Sequence, residues 1–219
     1  MAQRRPALSR DGIIEAGVRV ADRGGLGAVS MRNVGRELGV EAMSLYHHIP
    51  GKEALLDGLV DAVFSAVALP APDEPWREAM AARAASAREV LSRHPWALGL
   101  IESRRTPGPA LLAHHEAVLA CLRANGFGVA LAAHAFSAID AYVHGFVLTE
   151  LNLPFEAGAD AEAFTTGIAH LLPPDRYPRM NEMITQMIAG GSYDYADEFG
   201  YGLDLILDSL ERRLAGETG

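Results

Sequence analysis

The segment that most restricts how this chain can fold is residues 30–49, which read Ser-Met-Arg-Asn-Val-Gly-Arg-Glu-Leu-Gly-Val-Glu-Ala-Met-Ser-Leu-Tyr-His-His-Ile. Val34 and Leu38 recur at helical spacing, Gly39 interrupts the pattern, and Leu45 and Ile49 resume it. The Ser30 hydroxyl can cap the free N–H groups that open the first helix, with Val29 and Val34 at hydrophobic-staple positions. Gly39 supplies the positive φ of a tight turn, and Gly35 has no side chain to hold the two helices apart. Two short helices packed across a glycine turn are therefore expected. Val40, Leu45 and Ile49 bury the inner side of the second helix. Ala42, Met43, Tyr46 and His47 then face outward, with Ser44 and His48 on the flanks.

The rest of the chain also reads as helix. No stretch alternates apolar and polar residues in the manner of a strand, so the expected fold class is all-α. A first helix over 9–23 is capped by Ser9 and ended by Gly24-Gly25, with Ile13, Ile14, Gly17, Val18, Val20 and Ala21 turned inward. The third helix spans 42–48 and Pro50-Gly51 breaks it. A fourth begins at Lys52 and presents Leu55, Leu56, Leu59, Val60, Val63, Phe64 and Val67. After a proline-rich linker at 70–75, helices are expected over 76–94, 96–102, 109–125, 128–151, 161–172, 180–189 and 195–214. The chain thus divides into a three-helix unit at 1–52, a connecting helix at 53–69 and a larger helical domain at 70–219.

The 219 residues carry 19 basic and 28 acidic side chains, a net −9, which taken alone argues against nucleic acid. The distribution reverses that argument. Residues 1–52 hold eight basic and five acidic groups, a net +3, and residues 53–219 hold 11 and 23, a net −12. Charges are screened beyond about 10 Å, so an acidic body does not cancel a basic module. Cys121, the single cysteine, excludes a disulfide framework or a cysteine-based zinc site within one chain. The first ten residues hold three arginines and no apolar core of a secretory leader, so a cytoplasmic protein is expected. Segment 128–151 is apolar enough to raise the question of a membrane span. His134, Asp140 and His144 fall in its middle, where lipid penalises them, so it reads as a buried bundle helix with no membrane partner.

Helix, glycine turn and helix form a helix-turn-helix, and an outward Met-Tyr-His surface suits the major groove of DNA better than water. Residues 9–64 resemble the N-terminal domain of the tetracycline-repressor (TetR) family of bacterial transcription regulators. The strongest stretch is 40–56, with Ser-Leu-Tyr-His-His-Ile-Pro-Gly-Lys-Glu-Ala-Leu-Leu. That family follows a Leu-Tyr-x-His core with a lysine and paired leucines. The remainder resembles the family's C-terminal regulatory domain more loosely, through Arg93-His94-Pro95-Trp96, Asn125-Gly126-Phe127 and the ending 199–210. The resemblance implies that Arg32 contacts phosphate or a base edge. It implies that Met43, Ser44 and His47 reach bases, and that Tyr46, His48 and Lys52 hold backbone phosphates. Ala42 and Met43 depart from the tetracycline repressors, which carry operator-reading residues there, a glutamine among them. These two offer apolar contact, for example to a thymine methyl, so the operator should differ. Tyr46 has a competing reading as packing against helix four. Met31 reads as packing, and Arg4, Arg5 and Arg10 as a mobile arm.

The resemblance further implies a two-fold dimer with recognition helices about 34 Å apart, matching a palindrome in double-stranded DNA. Two segments suit the dimer interface. One is 195–214, where Phe199, Leu203, Ile206, Leu210 and Leu214 recur at helical spacing; the other is 128–151. The same stripes can also fill the chain's own core. A ligand pocket is implied between 76 and 151, with His94, Trp96, Arg104, His114, His115, Phe136, Ser137, Asp140 and His144 as candidate lining. A histidine pair beside Asp140 could take a metal, but packed histidines are commoner, and no metal or cofactor is assigned. The turn Thr106-Pro107-Gly108-Pro109 sits where tetracycline repressors carry a ligand loop and lacks their Arg-Pro pair in register, which argues against tetracycline itself. No glutamate has a histidine three residues on, and no glycine-rich phosphate loop is present, so no enzyme is expected. The expected function is a ligand-responsive DNA-binding transcriptional repressor, acting as a homodimer on a palindromic operator and released by a small molecule. The alternatives are a DNA-binding regulator without a small-molecule ligand and a metal-dependent helical-bundle enzyme.

Overall fold

The computed structural model describes residues 8–101, 107–155, 158–189 and 192–217, and among them every regular element is helical. Helix α1 (Arg10–Ala28) opens on Ser9, whose hydroxyl accepts the Gly12 N–H at 3.2 Å. It runs past the expected end at Arg23. Gly25 takes φ 67° and kinks the helix, which resumes for a few residues to Ala28. Helix α2 (Met31–Leu38) is capped by Ser30, whose hydroxyl accepts the Asn33 N–H at 3.1 Å. Gly39 closes it with φ 68° and ψ 35°, the left-handed conformation that glycine adopts without strain. A Cβ on Gly35 would lie 2.9 Å from the Val40 carbonyl oxygen and 3.3 Å from Ala42 backbone atoms, so the glycine permits the helix contact. Helix α3 (Ala42–Leu45) is shorter than the expected 42–48. Residues 46–48 continue as a turn, with the His48 and Ile49 N–H groups both donating to the Leu45 carbonyl at 2.9 Å.

Helix α4 (Lys52–Ser65) leads into the larger domain: α5 (Trp76–Arg93), α6 (Trp96–Ile101), α7 (Pro109–Ala124), α8 (Val129–Glu150), α9 (Ala159–Ile168), α10 (Pro178–Met183) and α11 (Glu198–Glu217). The continuous helices expected over 161–172 and 180–189 are each interrupted. A 3-10 turn at 169–171 follows α9, and a π turn at 184–188 follows α10. A further 3-10 turn at 195–197 precedes α11.

Two hydrophobic cores result. The first joins Ile13, Val20, Val29, Val34, Leu45 and Ile49 to Leu55 and Leu59 of α4, and takes in Leu100 of α6. The second joins α5, α7, α8 and α11 through Met80, Val118, Phe127, Ile139, Val143, Phe146 and Phe199. Helix α4 belongs to both: Leu55, Leu56, Leu59, Val60 and Phe64 enter the first core, and Val63, with Val67 just past the helix end, enters the second. Helix α8 has the length and apolarity of a membrane span, and here packs against α5, α7 and α11. Phe199, Leu203 and Leu210, expected to face a second copy, are buried in the chain's own second core together with Leu207. Ile206 is partly buried beside them. The stripe that faces outward on α11 is instead Tyr201 and Leu205, 68% and 57% exposed.

The glycine contact is testable. Gly35→Ala must push the α2–α3 backbone apart and should cost about 1–3 kcal/mol. Gly99→Ala, in an exposed part of α6 with open space around it, should be neutral or stabilise by up to ~1 kcal/mol. Urea unfolding of both variants checks this; equal stabilities would remove the close-approach argument.

Candidate nucleic-acid interface and regulatory core

Leu45 and Ile49 are fully buried beneath α3 and fix which side of it faces out. On that outer side Met43 is 73% and Tyr46 46% exposed. His47, His48, Arg32 and Lys52 are exposed around them, with Ala42 and Ser44 half-buried. All eight residues assigned to DNA from the sequence therefore lie on α2, α3, the turn after it and the first residue of α4. Met31 is buried and packs in the first core, in line with its packing reading. Arg4 and Arg5 lie outside the described residues; Arg10 is exposed at the start of α1.

Not every arginine of the basic unit is available to phosphate. Arg19 Nε donates to Glu37 at 3.1 Å and Arg23 forms an ion pair with the same carboxylate. Their hydrogen bonds, Arg23's foremost, hold the Glu37 carboxyl below its usual pKa. These pairs brace α1 against α2. Arg32 and Arg36 flank a shallow groove that also includes Gly39, Val40, Glu41 and Ala42. Met43 and Tyr46 are thus an exposed apolar and aromatic pair on a unit whose Arg32, Arg36 and Lys52 also lie at the surface. This mix of residue types suits contact with both base edges and phosphates.

Among the described residues, polar contacts tie this unit and α4 to the larger domain. Asp22 of α1 accepts from the Trp96 indole N–H at 2.7 Å and lies 2.7 Å from His94 Nδ1. The two rings meet edge-on at 5.9 Å. The structure thus places His94 and Trp96, two candidate ligand residues, at a joint between α1 and the α5–α6 corner. Asp61 of α4 accepts the Ala110 N–H at 2.7 Å, so α4 caps the N-terminus of α7.

Deeper in the larger domain, four of the candidate ligand residues come together: His114, His115, Phe136 and Asp140. They gather around Arg83, which the sequence reading missed. Arg83 is 3% exposed and His114 1%. Arg83 Nε donates to His114 Nε2 at 2.8 Å, and its Nη2 pairs with Asp140. The guanidinium lies 5.7 Å from the Phe136 ring centre, His115 meets Phe136 edge-on at 4.6 Å, and Phe64 of α4 meets His114 edge-on at 5.7 Å. Burial, then the Arg83 charge, pull the His114 pKa down to about 4, so its ring is neutral at pH 7. Ser137 is exposed on α8, and His144 is half-buried one turn beyond Asp140. Arg104 and Thr106 lie outside the described residues. No three metal-ligating side chains cluster among the described residues, so the His–His–Asp arrangement is not assembled there. Arg83 did leave a signal: Trp76, Met80 and Arg83 recur at helical spacing, which puts a charge on an apolar stripe.

A second feature lies near the C-terminal end of α8, roughly 15 Å along the helix from Asp140. Arg88 pairs with Glu150 and sits over the rings of Phe146 and Phe199, at 5.0 and 4.9 Å from their centres. Beside it an open groove of about 910 Å³ is lined by Glu150, Leu153, Phe155, Phe164, Asp194 and Tyr195 among others.

Known proteins share this architecture and sequence. Residues 13–59 match the family described as bacterial regulatory proteins, tetR family, and residues 69–214 match the tetracyclin repressor-like C-terminal domain. The HTH-type transcriptional repressor DrrR1 of Streptomyces coeruleorubidus is 36% identical over 98% of this chain and 82% of its own length. The crystal structure of apo ActR from Streptomyces coelicolor aligns over all of both chains with a TM-score of 0.78 and 28% identity. ActR in complex with actinorhodin aligns over 94% of this chain and 96% of its own, with a TM-score of 0.77 and 27% identity. The chain belongs to the tetracycline-repressor family of bacterial transcription regulators.

Proposed function

We propose that the protein is a cytoplasmic repressor that binds a palindromic operator as a homodimer and releases it when a small molecule enters the larger domain. The observation that carries this reading is the outward Met43–Tyr46–His47 surface, set by the buried Leu45 and Ile49 and bordered by Arg32 and Lys52. Met43 and Ala42 give apolar contacts to base edges, with Ser44 and His47 beside them. Tyr46, His48 and Lys52 hold phosphates and set the register. One such unit reads too few base pairs, and a second copy supplies the other half-site.

Helices α8 and α11 provide the interface through the faces their own core leaves free. Tyr201 and Leu205 stand out on α11, and Leu148 on α8 is 57% exposed. Ala138, Ala141 and Gly145 are exposed on α8 as well and allow close helix approach. The repressor DrrR1 supports the direction of regulation, and the actinorhodin complex of ActR supports a small-molecule effector. Release runs through α4, which touches the Arg83–His114 cluster by Phe64 and the head of α7 by Asp61. An effector that favours a second position of α4 by about 1–3 kcal/mol lowers operator affinity roughly 5- to 150-fold.

Gel-shift titration against the DNA flanking the protein's own gene tests the interface. Tyr46→Ala is expected to weaken binding about 10-fold or more with unfolding unchanged, as a lost hydrogen bond to a charged group would. Lys52→Ala should lower the salt slope of binding by about one per subunit. Wild-type affinity and slope in both variants would contradict the phosphate assignments. Separately, Leu205→Glu places a charge on the outward stripe of α11. Sedimentation should show a folded monomer with weak operator binding, and an intact dimer would remove this stripe from the interface.

A further inference from the structure

The arginines of the reading unit differ in what they already hold. Arg19 and Arg23 share the Glu37 carboxylate and brace α1 against α2. Arg32 and Arg36 are exposed on α2 and have no ion-pair partner among the described residues. Arg36 Nη1 donates to the neutral Asn33 amide, reaching Oδ1 at 3.5 Å, the long limit of a hydrogen bond. That amide is itself anchored, because Asn33 Nδ2 donates to the Ala28 carbonyl at 2.7 Å. The Arg36 guanidinium is therefore oriented by an anchored neutral group, and no carboxylate neutralises it.

Arg32 and Arg36 stand one helical turn apart, and like charges at that spacing repel and weaken a helix. An anion between them would relieve the cost. Both border a groove of about 520 Å³ whose remaining lining is Gly39, Val40, Glu41 and Ala42, the turn and the start of α3. Glu41 pairs with neither arginine among the described residues. The groove thus joins two uncompensated guanidinium groups to the beginning of the reading helix.

We infer that Arg36 holds a backbone phosphate of the operator at the turn between α2 and α3. This rests on the reading of the protein as a DNA-binding repressor, and it adds a contact to those assigned to Arg32, Tyr46, His48 and Lys52. In a helix-turn-helix the first helix crosses the DNA backbone and the second enters the major groove. Arg36 belongs to the first, so its partner is phosphate and not a base edge. The forked N–H donors of a guanidinium match phosphate oxygens. Arg36 also lies in the last turn of α2, where a cation favours the helix dipole. Salt dependence of DNA binding separates that stabilising role from a phosphate contact.

Fluorescence anisotropy on the full-length protein follows binding to two duplexes across a salt titration: DNA flanking the protein's own gene, and a duplex of unrelated sequence. Arg36→Gln should weaken both by a similar factor, about 10-fold or more at low salt, as loss of a hydrogen bond between charged groups would. It should also lower the salt slope by about one per subunit. Arg36→Lys keeps the charge and should keep the slope. Arg23→Gln removes a cation that Glu37 already engages, so its slope should match the wild type. Urea unfolding checks that each variant is folded. An unchanged slope in Arg36→Gln, an equal fall in Arg23→Gln, or a loss confined to the flanking DNA would each overturn the assignment, the last in favour of a base edge. In those cases the wild type still binds, and the repressor reading stands. Wild-type protein that binds neither duplex would overturn the repressor reading itself.

Discussion

Helix α4 is held in two hydrophobic cores at once, and the rest of the structure depends on that. Leu55 and Leu59 are fully buried among α1, α2 and α3, while Val63 and Val67 are buried against the larger domain. Burying a side chain of this size contributes roughly 1.5–3 kcal/mol, so neither end of α4 can detach cheaply. A motion of α4 that keeps both sets of contacts would have to be a pivot. Because Lys52 is its first residue, a pivot of α4 would move the proposed phosphate contact and the short α3 that precedes it.

Polar contacts mark where that pivot is constrained. Asp22 engages the His94 and Trp96 rings where α1 meets the α5–α6 corner, and Asp61 caps α7 from the middle of α4. Both carboxylates reach across the boundary between the cores, so the two domains are joined by directional bonds as well as packing. The net charge is partitioned to match. The reading unit carries the surplus of basic groups, and the acidic surplus lies in the body, where it does not need to approach phosphate.

The reading unit was largely legible in the sequence because its determinants are local. Ser30 caps α2, Gly39 turns the chain and Gly35 allows the approach, all within a few residues of the contacts they serve. Family resemblance added roles for residues that periodicity had only placed outward. The body was less legible because its determinants are distant in sequence. His94 and Trp96 looked like pocket residues by type; their partner, Asp22, lies more than seventy positions away. Arg83 was passed over because an arginine in an alanine-rich helix reads as a solvated residue, although its helical register with Trp76 and Met80 placed it on the inner stripe. Phe199, Leu203 and Leu210 had the spacing of an interface, and the same spacing also serves a core. Periodicity identifies a buried face and does not say which chain buries it.

The central claim is that two copies hold their α3 helices one DNA turn apart through the body while α4 sets the spacing. Pulsed electron spin resonance between labels at Glu41→Cys, in a Cys121→Ala background, measures that spacing across the dimer. With operator bound, the account predicts one narrow distance consistent with recognition helices about 34 Å apart, and a broader distribution without DNA. Absence of any distance between subunits, or a distribution that operator leaves unchanged and far from one turn, would contradict it.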